Sequence, residues 1–532
     1  MTSFTSLYLA LDRTNRTAEK VAALVEYFRA ARPEDAAWAL FFLMGNTPKR
    51  AINTRLLGEW ICEFSGNPGW LLAECYDAVG DFGETLALLV PPEHASFEQP
   101  FADFVRERVL SLKAMTPEQQ RELVFRTWRE LSQPQCLVWH KVITGQFRVG
   151  VAKTLVIRAL AEVAGIEPAT MSHRVMGTWT PSAESYLQLL SPESQSGGPG
   201  QPYPFQLAHP LEGTVEELGD VQDWQIEWKW DGIRAQLIRR AGEMLIWSRG
   251  EELMTDRFPD LHDIGRSLPD GIVLDGEALA WRDEQVLPFA VLQRRIGRKK
   301  LGPKILADAP VAFLAYDILE HDGADIRHLP QIERRALLEQ LFARTGGATR
   351  LRLSPLVSVA TWSDVHASYA AARERSVEGL MLKRKAAPYG VGRVRGDWWK
   401  WKVQPYTIDA VLIYAQKGSG RRANLFTDYT FGVWHEGQLV PMAKAYSGLT
   451  DAEMREVDAF VRAHTTERFG PVRVVEPQLV FELHFEGIAA STRHKSGISV
   501  RFPRMGRWRK DKPAAEADTL DTLRALLRAA TK

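Results

Sequence analysis

Lys229-Trp-Asp-Gly-Ile-Arg234 is the segment with the most chemistry in it. A lysine on a strand ordinarily points to water. Here the period-two spacing puts Glu227 on the same face as Lys229, and Asp231-Gly232 ends the strand in a turn. That face therefore opens at a sheet edge, where a ligand can approach. Asp275 and Glu277 share a face in Leu274-Asp-Gly-Glu277. Lys400 and Lys402 share one in Trp398-Trp-Lys-Trp-Lys402, and Glu378 leads a strand that carries Lys383. Carboxylates suit Mg²⁺, and Lys or Arg suit phosphates, so these groups aimed at one surface would make a metal–nucleotide site. Taken strand by strand, a solvated polar face explains each of them equally well; only their convergence argues for a site.

The elements that must position these residues lie in the middle of the chain. Ile226, Trp228 and Trp230 alternate with Gln225, Glu227 and Lys229, which predicts a strand. Similar strands are predicted at Gly271–Leu279, Ala312–Ile318, Glu378–Lys383 and Trp398–Lys402, with a helix over Gln331–Arg344, which together read as α+β with antiparallel sheets. Upstream, Val21, Leu24, Val25 and Phe28 follow a 3.6-residue period. Leu155, Val156, Ala159, Leu160 and Val163 repeat it, with Gly165 as the stop. Residues 1–190 are therefore expected to be all-α. Ser191-Pro-Glu-Ser-Gln-Ser-Gly-Gly-Pro-Gly-Gln-Pro-Tyr-Pro204 offers little to bury and is expected to be a linker. The α+β domain is expected over 205–403. Beyond it, strands at Ala410–Ala415, Tyr429–Trp434, Val472–Val475 and Leu479–Glu486 surround a helix at Asp451–His464, and residues 404–532 read as a small β-barrel.

Composition narrows the function classes. The 532 residues carry 67 Lys and Arg against 66 Asp and Glu, so any anion-binding surface must come from segregated charge rather than a basic coat. One such segregation is Arg493, Lys495, Arg501, Arg504, Arg507, Arg509, Lys510 and Lys512, interrupted only by the acid Asp511. Three cysteines, Cys62, Cys75 and Cys136, are too few and scattered for a disulfide framework or a Cys-rich zinc site, and are expected to be buried. No apolar run is long enough to span a membrane, and the start at Met1-Thr-Ser-Phe does not read as a secretion signal, so a cytoplasmic protein is expected. A Gly-x-x-x-x-Gly-Lys-Ser/Thr phosphate loop, a strand-following Gly-x-Gly-x-x-Gly, His-Glu-x-x-His and Cys-x-x-Cys are all missing from the sequence. Any nucleotide is held by another device.

That device has a family resemblance. Lys229-Trp-Asp-Gly-Ile-Arg234, Ser248-Arg-Gly250, Leu274-Asp-Gly-Glu277, Phe313-Leu-Ala-Tyr-Asp317, Glu378-Gly-Leu-Met-Leu-Lys383, Lys400-Trp-Lys402 and Arg509-Lys-Asp-Lys512 are similar, in order, to the motifs of the covalent nucleotidyltransferases. The chain most resembles the ATP-dependent DNA ligases of bacterial type. Lys141-Val-Ile-Thr-Gly-Gln-Phe-Arg-Val-Gly150 resembles the signature of their N-terminal helical DNA-binding domain. The resemblance implies three domains: a helical DNA-binding domain, an α+β adenylation domain, and a C-terminal OB-fold barrel. It implies an enzyme that uses ATP and Mg²⁺ to seal 5′-phosphate/3′-hydroxyl nicks in duplex DNA, with a role in repair, recombination or replication. A monomer that encircles nicked DNA, nucleoid-associated in the cytoplasm and without a membrane partner, is expected. RNA ligases and capping-type guanylyltransferases share the lysine motif; the helical domain argues against them, and the cysteine count argues against an NAD-dependent ligase. A nucleic-acid-binding scaffold with a dead nucleotide site is countered by the intact charged set.

Residue by residue, the resemblance makes Lys229 the nucleophile that takes AMP from ATP. Glu227 would read the adenine, Arg234 and Arg249 would hold phosphate or ribose, and Phe313 would stack on the purine. Glu277 would bind the ribose and help place Mg²⁺, and Glu378 would bind the metal. Lys400 and Lys402 would contact the α-phosphate, while Arg509 and Lys512 would orient the departing pyrophosphate. The family has an arginine six residues before the first lysine of Lys-x-Lys; here that position is Val394, flanked by Arg393 and Arg395, and Arg393 is preferred. DNA contacts are expected from Lys141, Arg148 and Lys153 in the helical domain and from Arg501, Arg504 and Arg507 near the C-terminus. An unperturbed lysine is neutral only about 0.04% of the time at pH 7, so the surrounding cations are expected to favour the neutral amine.

Overall fold

A computed structural model describes residues 1–91, 97–147, 149–176, 179–191, 200–298, 300–345, 350–375, 377–418 and 425–530. The chain folds as two compact units, one made of Met1–Ala23, Trp38–Val151 and Gln404–Lys532, the other of Leu24–Ala37 and Ala152–Val403. Among the described residues, no helix is long and apolar enough to cross a membrane.

Upstream of position 192, the described residues are helices and their connections. Helix α1 (Pro117–Glu130) opens with a capping box between Thr116 and Gln119, which satisfies two backbone donors that a helix start leaves unpaired. Helix α2 (Gln133–Ile143) is buried along nearly all of its length. Helix α3 (Lys153–Ala164) buries Val156, Ala159 and Leu160 and ends at Gly165 with φ 67°, as its periodicity predicts. Cys136 is buried, and burial pushes its thiol up to about 12. Cys62 and Cys75 are only partly covered, which corrects the expectation that all three are buried.

The second unit is built on two sheets. Strands β1 (Trp224–Trp228), β2 (Ile233–Arg240), β3 (Glu243–Ser248), β4 (Ile272–Arg282), β5 (Val311–His321), β6 (Leu351–Leu353), β7 (Gly379–Arg384) and β8 (Trp398–Lys402) supply them. The larger sheet runs β6-β5-β4-β2-β3, with short strands at Gln285–Val286 and Ala324–Asp325 paired to the C-terminal ends of β4 and β5. The β2–β3 hairpin was not foreseen from the sequence. The smaller sheet runs His209–Pro210, β8, β7, β1. Helices α4 (Phe289–Ile296), α5 (Pro303–Asp308) and α6 (Gln331–Thr345) are among those of this region, and Leu292, Leu338 and Leu341 join the core with Leu274, Ala278, Phe313 and Ala315 on one face of the larger sheet. Residues at the end of the expected linker are pinned to this framework. Gly200 O accepts from the Trp247 indole at 2.8 Å, Gln201 O from Arg240 at 2.8 Å, and Tyr203 exchanges two 2.7 Å bonds with the Gln236 amide. Residues 192–199 of that linker lie outside the described residues.

The C-terminal part of the first unit is β-rich. Strand β9 (Tyr406–Lys417) pairs with β10 (Phe426–His435) on one side. Its other side pairs with β14 (Val480–Phe485) near one end and β13 (Val472–Val475) near the other. β11 (Gln438–Ala445) lies beside β10, and β12 (Thr465–Phe469) beside β13. Strands β15 (Gly487–Ala490) and β16 (Ile498–Arg501) form a hairpin, and β17 (Arg504–Trp508) pairs with β14. Helix α7 (Asp451–Ala463) contributes Val457 and Val461 to a core that includes Ile408, Phe431, Phe481 and Met505.

Candidate active site

The ends of β1 and β7 clamp Lys229. Its N–H donates to Gly379 O at 2.9 Å, and the Glu378 N–H donates to Lys229 O at 2.8 Å. Gly379 has φ 132°, and a Cβ there would stand 2.0 Å from Trp401 O, so only glycine lets β7 begin this close to β8. Lys229 Nζ contacts Glu378 Oε2, and Lys402 Nζ lies 3.6 Å from the same oxygen. Lys400, two residues before Lys402 on β8, is held below the ordinary lysine range by burial first and then by Arg393, Lys229, Lys402 and Arg249. The charges of Arg393 and Arg249 thus act on the same ammonium as those of Lys229 and Lys402. The Arg249 N–H donates to Arg234 O at 3.0 Å, which brings the end of β3 into the group. Arg395 points away, 3.9 Å from the exposed Glu212.

The facing sheet supplies Asp275 and Glu277. Burial pushes Glu277 up to about 8; Lys229 and Arg234 oppose that rise, while Glu378 and Asp275 add to it. Arg234, paired with Glu277 across β2 and β4, forks onto Asp275 at 3.2 and 2.7 Å and donates to Gln206 O at 2.7 Å. The Tyr389 hydroxyl donates to Asp275 at 2.8 Å. Glu227 is buried and accepts from Gln225, with Lys383 Nζ 2.9 Å away. That ammonium also stands 4.5 Å from the ring centroids of Tyr316 and Trp398, which ties β7 and β8 to β5. Lys229, Glu227, Arg234, Arg249, Glu277, Glu378, Arg393, Lys400 and Lys402 thus collect around the facing sheets.

Phe313 does not join them. It is wholly buried in the core with Ala315 and Ile318. Along β5, residues 313 and 315 face the helices; after a register shift Ile318 rejoins that core, while Asp317 stands opposite Asp275 and binds Arg334 on α6. Residues 312 and 314 face the other way, and Tyr316 stands at the register shift between Ala315 and Asp317. Gly276 confirms the direction, since a Cβ there would lie 2.5 Å from the Phe313 ring. Tyr316 instead lies near Arg234, Asp275 and Glu277, whose charges act on its hydroxyl. The sequence held part of this signal, because Tyr316 continues the alternation of Ala312 and Leu314. Tyr389 carried no comparable signal.

The remaining expected residues behave differently. Lys141 is turned inward on α2 against Asp81, a residue that also caps the next helix through the Glu84 N–H, so it is not a surface cation. Lys153 is half-exposed and pairs with Glu251 at 3.0 Å. Arg148 lies outside the described residues. Arg504 lies 3.6 Å from Glu486 and Arg507 3.8 Å from Glu482, while Arg501 covers the exposed Phe502 ring at 5.0 Å. Arg509 and Lys512 both bind the buried Asp409, at 2.7 and 2.8 Å.

The donor set fits the expected ligands. Mg²⁺ is usually held by one or two carboxylates with phosphate oxygens and water completing its shell. Glu277, whose carboxyl burial pushes up to about 8, and Glu378 are such a pair. No cluster of three or more His, Cys, Asp or Glu suited to holding a metal by itself occurs among the described residues. Lys229, Lys400, Lys402, Arg249 and Arg393 would neutralise phosphates.

Comparison with known proteins points the same way. Residues 205–402 match the family model described as ATP dependent DNA ligase domain, residues 1–161 that of the DNA ligase N terminus, and residues 422–512 that of the ATP dependent DNA ligase C terminal region. A probable DNA ligase of Koribacter versatilis is 31% identical, covering 98% of this chain and 95% of its own. A probable DNA ligase of Streptomyces griseus is 30% identical over 97% of each chain. A DNA ligase of Methanoculleus marisnigri is 29% identical over 95% and 93%. The solved structure named Pmar-Lig_PreS3 shares the fold, with a TM-score of 0.63 at 15% identity over 95% of this chain and 99% of that one.

Proposed function

Because the chain belongs to the ATP-dependent DNA ligases, we propose that Lys229 is the amine that carries AMP between ATP and the 5′-phosphate of a nick. The Lys229 nitrogen attacks the α-phosphorus of ATP, a P–N bond forms, and the bond to pyrophosphate breaks. The 5′-phosphate of nicked duplex DNA then displaces lysine and takes the AMP. Finally the 3′-hydroxyl attacks the adenylated 5′-phosphate and AMP leaves. The single observation that carries this reading is the shared Glu378 oxygen, which holds Lys229 and Lys402 together at the edge where β1 and β7 meet.

The geometry supports further roles in this reading. Lys400, Lys402 and Arg393 neutralise the phosphates, with Arg249 beside them. Glu227, fixed by Lys383 and Gln225, is held rigid enough to read a base edge. The aromatic contact to the purine is assigned to Tyr316 rather than Phe313. Mg²⁺, held by Glu277 and Glu378, would add charge neutralisation at the phosphates. Arg509 and Lys512, presented together by Asp409, orient pyrophosphate, and Arg501, Arg504, Arg507 and Lys153 meet DNA phosphates. The domains of this reading are a helical DNA-binding domain (1–190), a linker (191–204), an adenylation domain (205–403) and an OB-fold barrel (404–532). The strand pairing around β9 supports the barrel. One chain is taken to encircle nicked nucleoid DNA as a monomer, which sedimentation with a single-nick duplex would test.

The decisive experiment is transfer of label from ATP to protein. The wild type gains one AMP on Lys229, and Lys229→Arg, which keeps the charge and loses the nucleophile, gains none. A labelled Lys229→Arg band, or an adduct mapped to another lysine, would overturn the assignment.

A further inference from the structure

The most basic acid-free stretch around the catalytic sheets was not among the expected DNA contacts. From Gln285 to Ala307 there is no Asp or Glu, yet the segment holds Arg294, Arg295, Arg298, Lys299, Lys300 and Lys304. Lys299 lies outside the described residues. The others divide into an anchor and a ledge. Arg295 is wholly buried: it pairs with Asp260, donates to Arg257 O at 3.0 and 2.9 Å, and donates to Ala309 O at 2.9 Å. It fixes the end of α4 to the loops around it. Arg294, Arg298, Lys300 and Lys304 are all exposed, and among the described residues no carboxylate stands within ion-pair distance of any of them.

Stability does not account for this arrangement. Cations in the last turn of a helix favour its dipole, which rationalises Arg294 and Arg295 on α4. Lys304 sits in the first turn of α5, where a cation opposes the dipole. Four like charges without a counter-charge repel one another, whereas the basic run near the C-terminus is largely neutralised from within, by Glu486, Glu482, Glu456 and Asp409. A polyanion is the partner that such an uncompensated ledge fits, and duplex DNA carries about one charge per 1.7 Å of helix axis.

We propose that Arg294, Arg298, Lys300 and Lys304 form a contact surface for the phosphate backbone of the duplex substrate. The inference rests on the ligase reading and adds to it a surface on the catalytic unit. Its contacts carry no base preference, and each phosphate engaged releases counterions, so the ledge acts through the salt dependence of binding.

The test uses the full chain carrying Arg294→Ala, Arg298→Ala, Lys300→Ala and Lys304→Ala together, all at exposed positions. Self-adenylation with labelled ATP, which needs no DNA, should proceed at the wild-type rate. The slope of log affinity for a nicked duplex against log salt should become shallower by about 2 to 4, at about 0.9 for each phosphate no longer engaged. Single variants should each disengage about one phosphate, and Arg298→Lys should restore the slope. An unchanged slope with unchanged affinity overturns the proposal. Loss of self-adenylation with an unaltered melting temperature overturns it as well, because the ledge would then act on the nucleotide site. Failure of the ligase reading is visible separately, as a wild-type protein that takes no label from ATP.

Discussion

Leucine substituted separately at Phe313 and Tyr316 distinguishes the two faces of β5. Phe313 is fully buried in the core, so Phe313→Leu keeps an apolar side chain of similar volume and should cost about 1 kcal/mol. For a cooperative unit of this size, that lowers the melting temperature by about 2–4 °C. The KM for ATP should not change, because nothing on the nucleotide side has been touched. Tyr316→Leu removes a ring that lies beside Arg234, Asp275 and Glu277. Base–aromatic stacking is worth about 1–3 kcal/mol, which converts to a rise in KM of about 5- to 150-fold. Tyr316→Phe keeps the ring and should remain close to the wild type. The assay is the rate of label transfer from ATP to protein across ATP concentrations, run beside thermal melts of the same preparations. A raised KM in Phe313→Leu with an unshifted melt, or a wild-type KM in Tyr316→Leu, would refute the parity reasoning that places Tyr316 at the nucleotide.

Further outcomes follow from the charges. Glu277 is pushed up to about 8, so below that pH a proton competes with the cation for its carboxylate. The Mg²⁺ concentration needed for half-maximal self-adenylation should fall as pH rises from about 6 towards 8 and then level off, and Glu277→Gln should flatten the profile. Arg334 and Asp317 are both fully buried, joined at 2.9 Å. Arg334→Met strands the carboxylate and should cost about 3–5 kcal/mol in urea unfolding, while adding Asp317→Leu should recover much of the loss. If Arg334→Met alone left stability unchanged, the pair would not be holding α6 to β5.

Much of the candidate site was legible because a β-strand has a fixed period. Parity alone put Asp275 with Glu277 and Lys400 with Lys402, and the structure keeps both pairings within their strands. The helical period likewise marked Val156, Ala159 and Leu160 as the buried stripe of α3, with Gly165 as its end. Phe313 went astray when its place in a motif was read ahead of its parity with Ala315, which faces the core. Lys141 went astray for another reason: sequence says that a lysine is charged, but not whether an aspartate waits 60 residues away to neutralise it.

What the residue order determined by itself was local: which segments alternate, which repeat every 3.6 residues, and which side chains can be nucleophile, acid or phosphate ligand. Tertiary structure decided everything that depends on partners distant in the chain. Only folding brought Glu378 onto Lys229 across 149 residues and Asp409 onto Arg509 across 100. It also left Arg294, Arg298, Lys300 and Lys304 without a counter-charge among the described residues. The physical reason is that charge and period belong to single residues and short segments, whereas burial and neutralisation are properties of pairs that only the packed chain creates.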